Sequence, residues 1–330
     1  MFRSSYNDER EIALRHEHIE QVWSAIAQAF PRYFDRFLEH SLQLSTPLAG
    51  AIETLSSKYK VKRPKVNAAP ALQIRFQDAL KKFDKDAEAY RGFFNEEVLQ
   101  EYEELDAKEF KRDLRDKKNC PIIHNCVTSK REKMRDWQIK FGVRDPRELR
   151  DVFKELVLAA EEYAEIGRPN NYDAVQTWSD LALDRFDEDE TLSAEGIIGT
   201  GIKSAVLYHL HPDIFPFCGR SGRYALYFMS SSDKHFGMPS LTNEFIMVND
   251  LKQEDHVRSM EHNYWYPYKV YTLYQVRLHR LLDNACASQG FSLLPQYRFV
   301  YNQALLDHVI EVPPESELLE AMHAPEEDLW

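Results

Sequence analysis

Apolar positions recur every three or four residues along most of the chain, the spacing of amphipathic helices. Ile12, Ile19, Val22, Trp23, Ile26 and Phe30 place one or two helices over residues 8–55, with Pro31 marking a break. Trp23, Phe30, Tyr33, Phe34 and Phe37 read as core. Residues 58–70, with two prolines and alternating lysines, read as a surface loop. Ile74, Leu80, Phe83, Tyr90, Phe93, Phe94 and Leu99 continue the helical pattern through Phe110, and residues 117–130 around Pro121 read as irregular. Asp145-Pro146-Arg147-Glu148 is a sharp helix start, with an N-cap Asp, Pro at the first helical position and Glu at the third. Leu149, Val152, Phe153, Leu156 and Tyr163 share a face of that helix, which ends at Gly167 with Pro169 beyond. A further helix is expected over Asn171–Phe186, a strand or a helix over Leu241–Val248, and a long helix over Tyr264–Leu282.

One segment carries chemistry. Ile197-Ile198-Gly199-Thr200-Gly201-Ile202-Lys203 runs into Ser204-Ala205 and the apolar run Val206–Leu210. Gly199 and Gly201 allow φ > 0, so a tight reversal between two helices is expected there. Unpaired amides at the start of the second helix, with its dipole, favour a phosphate. His211-Pro212-Asp213-Ile214-Phe215-Pro216 then forms an extended link, and Arg220–Phe228 opens a third helix.

Over about residues 186–230 the chain resembles the helix-hairpin-helix DNA glycosylases, the superfamily of endonuclease III and 8-oxoguanine glycosylase. The resemblance implies a mainly α fold: a glycosylase-like helical domain over 141–310, an additional helical region over 1–140 with its basic loop, and an acidic flexible tail over 311–330. It implies that Gly199, Thr200 and Gly201 grip a DNA backbone and that Lys203 is the nucleophile of a lyase-type glycosylase. A phosphate-binding role for Lys203 stands as the other reading. The family's Asp at the head of the third helix falls on Cys218 or Gly219, neither a carboxylate. Asp213 and Asp233 are the nearest spare carboxylates, each also readable as a loop residue. Arg220 and Arg223 are candidates for phosphate contact or for structural ion pairs. Tyr264, Trp265 and Tyr266 could stack a flipped or unpaired base, or bridge core and solvent.

Composition narrows this reading. A 43% hydrophobic, 29% charged chain of 330 residues belongs to the soluble globular class, and two domains are expected. No membrane span or signal sequence is read, and Cys120, Cys126, Cys218 and Cys286 form no framework, so a reducing cytoplasm is expected. With only Cys286 in the last hundred residues no iron–sulfur cluster is expected. The His16-Glu17-His18 and His209-Leu210-His211 pairs lack the rest of a zinc site, so no metal and no cofactor are expected. The net charge of −12 argues against blanket attraction to nucleic acid. Seven of the acids lie in residues 311–330, where there is no Lys or Arg. Basic residues gather at Lys58–Lys65 and, interleaved with acids, from Lys108 to Arg135.

The expectation is therefore a monomeric DNA N-glycosylase that flips a modified base out of duplex DNA, extending to a bulky base of phage DNA and a defence role. The alternatives are a DNA- or protein-binding module that kept the hairpin without catalysis, and a helical scaffold.

Overall fold

The computed structural model describes residues 10–45, 68–104, 107–230, 244–249, 259–263 and 265–322. The described chain is mainly helical, with one two-stranded antiparallel ribbon. Its first long helix, α1 (His16–Ser45), runs unbroken through Pro31. The expected break does not occur because Pro31 lies on the exposed face, where the carbonyl left without an amide partner stays near water. The opposite face buries Ile19, Val22, Ile26, Phe30, Tyr33, Phe34 and Phe37.

Next come α2 (Ala69–Phe93), α3 (Glu96–Glu104) and α4 (Ala107–Asp113). Ile74, part of the apolar helical pattern, is 45% exposed on α2. Residues 121–128, expected to be irregular, form α5 (Pro121–Thr128): Pro121 occupies the first helical position, where its missing N–H costs nothing. Then follow α6 (Arg135–Val143) and α7 (Pro146–Glu162). Asp145 caps α7 by accepting from the Arg147 amide. Glu148 does not close a capping box but pairs with Arg144.

Residues 171–186 do not form the expected helix. They make short 3-10 turns at Tyr172–Ala174 and Trp178–Leu181 and then the single-turn α8 (Asp184–Glu188). Their carbonyls go to arginines instead: Arg280 donates to Tyr172 and Val175, and Arg277 to Gln176. The Asp180 carboxylate takes the amides of Gln176 and Thr177. Local side-chain bonds of this kind compete with the helical ladder.

The centre holds α9 (Thr200–Leu210), α10 (Arg220–Met229), α11 (Tyr268–Ser288) and α12 (Arg298–Glu311). Both α1 and α2 pack against this group, so the N-terminal region and the centre share one hydrophobic core. The ambiguous segment ending at Val248 resolves as β1 (Ile246–Asn249), paired with β2 (Ser259–His262) in the register Ile246 to His262. The long helix starts at Tyr268, after Pro267, four residues later than its pattern suggests. Within the segment expected to be a flexible tail, residues 315–322 form α13 (Glu315–Met322). Glu315 is buried there against Arg36 and Tyr33 of α1. Of residues 58–70, read as a surface loop, 58–67 lie outside the described residues, while Ala69 and Pro70 open α2, the proline in its first turn. No described helix is long and apolar enough to cross a membrane.

Candidate functional site

The glycine-led turn is built differently from its sequence reading. Ala194 and Ile198 pair as an isolated antiparallel bridge, and the chain between them turns at Gly196, whose φ is +72°. The left-handed residue is thus Gly196. Gly199 is extended (φ −107°, ψ −172°) and caps α9, while Gly201 lies in its first helical turn. The element before the turn is a bridge and a 3-10 turn, so this is not a reversal between two long helices. A Cβ added at Gly199 or Gly201 would meet no atom within 4 Å, which leaves the approach to the helix start open. No side chain caps α9; the Ile202 and Lys203 amides donate to the Gly199 carbonyl at 3.1 and 3.0 Å, so the open donor capacity of the helix start lies at Thr200 and Gly201.

Lys203 lies one turn into α9 and is 6% exposed. Its ammonium donates to the Phe186 carbonyl at 2.8 Å and to Ser193 Oγ at 3.1 Å. Burial pushes Lys203 below the ordinary lysine value, while Asp187 and Asp189 pull the other way. Phe186, Thr200, Lys203, Ser204, Leu207 and Tyr268 line a crevice too narrow to hold a water molecule.

Asp187, next in chain to the Phe186 carbonyl that holds Lys203, acts on the Lys203 charge more than Asp189 does. It accepts from the amides of Tyr268 at 2.7 Å and Lys269 at 2.9 Å, capping the start of α11. Burial pushes its carboxyl up against those hydrogen bonds and against Arg10 and Lys269. A second carboxyl reaches the head of α10. Asp307 on α12 is bridged through Gln303 Nε2, which donates to Asp307 Oδ1 at 2.6 Å and to Ser221 Oγ at 2.9 Å. Burial raises Asp307 to about 6. Neither carboxyl is legible in the sequence, because neither adjoins Lys203 or the head of α10 along the chain. Asp187 lies just past the expected helix 171–186, and Asp307 arrives from the far end of the chain.

The positions aligned with the family's Asp hold a structural contact. Cys218 is fully buried, its amide donates to Ser204 Oγ at 3.0 Å, and its sulfur accepts from Arg223 Nη2 at 3.2 Å. Burial pushes the Cys218 thiol up, opposed by Arg223. Arg223 is itself 2% exposed, so its guanidinium does not face solvent. Arg220 is partly exposed and lies over the Tyr224 ring at 5.4 Å.

Asp213 is not brought to Lys203. It lies past the opposite end of α9, whose 11 residues separate the two ends by about 15 Å. There it pairs with Arg168 at 3.1 Å, and its carbonyl accepts from Arg298 at 2.9 Å. Asp233 and Tyr264 lie outside the described residues. Of the aromatic trio's described members, Trp265 is 58% exposed, whereas Tyr266 is buried. Tyr266 donates to Glu244 Oε1 at 2.6 Å, in a cluster where His18 of α1 also binds Glu244 and Tyr274 donates to it at 3.3 Å. Among the described residues no group of three or more His, Cys, Asp or Glu is placed to hold a metal ion.

No family model, curated protein or solved structure matches the chain.

Proposed function

We propose that the protein is a DNA N-glycosylase of the helix-hairpin-helix type, acting on a modified base that it flips from the duplex, with a bulky base of phage DNA as the expected class. The observation that carries this reading is Lys203, a buried amine below its ordinary pKa at the open start of a glycine-led helix, with Asp187 beside it. In this reading the α9 amides hold a backbone phosphate and the target nucleotide leaves the stack. Lys203, as neutral amine, attacks C1′. The N-glycosidic bond breaks with its electron pair going to the base, which takes up a proton. The attacking nitrogen passes a proton to the Asp187 carboxylate, which delivers it to O4′ as the C1′–O4′ bond breaks and the Schiff base forms, while the departing base takes its proton from solvent.

One observation favours the second reading, a binding module without catalysis. The crevice has no room even for a water molecule, far below the several hundred Å3 of sites that engulf a ligand, and the Lys203 amine is already bonded to Phe186 and Ser193. Glycosylase action therefore requires the crevice to open on DNA.

The test is incubation with duplex and genomic DNA carrying modified bases, scoring abasic sites and borohydride-trapped adduct. The wild type is expected to release base and to be trapped. Lys203→Gln is expected to keep DNA affinity within a few fold and to lose the trapped adduct. Binding without base release on any modified substrate selects the binding module. Full release and trapping in Lys203→Gln removes Lys203 from the chemistry.

A further inference from the structure

Lys203 is bonded to both ends of one short segment. Its ammonium donates to the Phe186 carbonyl at 2.8 Å and to Ser193 Oγ at 3.1 Å. The residues between, Asp187-Glu188-Asp189-Glu190-Thr191-Leu192, open with four consecutive acids. They pass from the single turn of α8 into the 3-10 turn Glu190–Leu192. Phe186 and Leu192 are buried in the core, whereas Glu188, Glu190 and Thr191 are exposed. The crevice beside the amine has no room for a water molecule, so the amine meets solvent only when this segment moves.

The segment is latched at its rim. Lys269 Nζ donates to Asp184 Oδ1 at 2.5 Å and to Glu188 Oε1 at 3.0 Å, and stands 4.4 Å from the centre of the Trp178 ring. Arg10 lies 4.0 Å from Glu188, and Arg185 pairs with Glu162 at 2.8 Å and Asp189 at 3.4 Å. The two carboxylates that Lys269 holds are about half exposed, so each pair adds only a modest bias toward closure. Inside the segment, charge opposes closure. Burial pushes the Asp187 carboxyl up and the Lys203 ammonium down, and each shift records hydration that opening would return. Short turns with exposed backbone and few apolar anchors are where local opening is least costly.

We propose that residues 186–193 are a gate over Lys203, latched by Lys269, and that the amine reacts only from the state in which this gate has lifted. This rests on the reading of Lys203 as the reacting amine and supplies its regulation. Release of Lys269 from Asp184 and Glu188 sets how often the amine is uncovered, whatever the substrate. The latch and the amine belong to different helices, α11 and α9, and the gate is the one segment bonded to both side chains.

The experiment uses the full chain without DNA. Reductive methylation by formaldehyde and cyanoborohydride is followed at residue 203 by peptide mass spectrometry. Hydrogen exchange of the Asp189, Leu192 and Ser193 amides, which donate to carbonyls of residues 185–190, reports the gate itself. Wild type is compared with Lys269→Met, which keeps an unbranched stem beside Trp178 without the charge, and with Glu188→Gln at the exposed rim. Lys154→Met, which breaks the pair with Glu103 away from the gate, is the control. Lys269→Met is expected to raise Lys203 labelling about five-fold and Glu188→Gln by less, with faster exchange of the three gate amides in step. Lys154→Met is expected to leave both at the wild-type rate. If Lys269→Met does not fold, Glu188→Gln decides. Labelling at the wild-type rate in the folded latch variants, or an equal rise in Lys154→Met, overturns the gate. Faster exchange with unchanged labelling overturns it too, because the segment then moves without uncovering the amine. The two ideas fail separately: gated labelling with no base release on any modified DNA removes the glycosylase reading alone, and base release with ungated labelling removes the gate alone.

Discussion

Lys203 sits where two electrostatic influences oppose each other. Burial and the positive start of α9 both disfavour its ammonium, while Asp187 and Asp189 favour it. Asp187→Asn removes the stronger of these two pulls and should push Lys203 further down. The rise of borohydride trapping with pH is then expected to move to lower pH. An unmoved profile in a folded Asp187→Asn variant would show that the two groups are not coupled. The same change loses one of the two carboxylate oxygens that cap α11, with a stability loss of about 1 kcal/mol expected in urea denaturation. The place of Lys203 in the first turn of a glycine-led helix was legible in the sequence because its signal is local. Asp187 was not, because only the tertiary docking of α8 onto the start of α11 brings it to the site. Arg223 shows the converse: its place in a helix was readable, but not the burial that turns its guanidinium onto Cys218.

Among elements, the turn before α9 separates two kinds of glycine that look alike in sequence. Gly196 has φ +72° and lies against Lys140, whereas Gly201 is helical with open space around it. Gly196→Ala is expected to destabilise by about 1–2 kcal/mol from the left-handed backbone, before any displacement of Lys140. Gly201→Ala is expected to be neutral or to stabilise by up to about 1 kcal/mol, since alanine is the better helix former. Urea midpoints of the two variants give the comparison, and equal midpoints would sink this assignment of the turn. Element boundaries were legible where capping is local, as at Asp145-Pro146. They were lost where distant side chains decide, as at residues 171–183, whose carbonyls are taken by Arg277 and Arg280. Proline misled in both directions. Pro31 lies inside a helix and Pro121 starts one, because burial and position set its effect rather than its presence.

At the scale of the whole molecule, the core shared by α1, α2 and α9–α12 encloses titratable rings, which makes stability depend on acid. His209 is stacked between Phe83 and Tyr90, with ring centroids 5.4 and 4.2 Å away, and burial holds it down to about 4. Burial also holds His279 and His308 down to about 4. In the unfolded chain each titrates near 6.5. Between those values the unfolded chain binds three protons that the native state refuses, so acid favours unfolding. Asp307 acts in the opposite sense. Raised to about 6, it holds a proton in the native state that the unfolded chain has lost, and acid favours folding through it. The three histidines outweigh the one carboxyl by about two protons near pH 5, a slope of about 2.7 kcal/mol per pH unit toward unfolding. Domains are stable by only about 5–15 kcal/mol, so this term alone removes a large share of stability between pH 6.5 and 4.5. Urea midpoints at pH 7, 6 and 5 are expected to fall steeply below pH 6.5, and His209→Phe, which keeps a stacked ring without the titration, is expected to lessen the fall. Midpoints that hold level or rise across that range would mean that the histidines are protonated in the native core, where Asn302 Oδ1, 3.2 Å from His279 Nδ1, and the Ala205 carbonyl, 2.6 Å from His209 Nδ1, accept their protons.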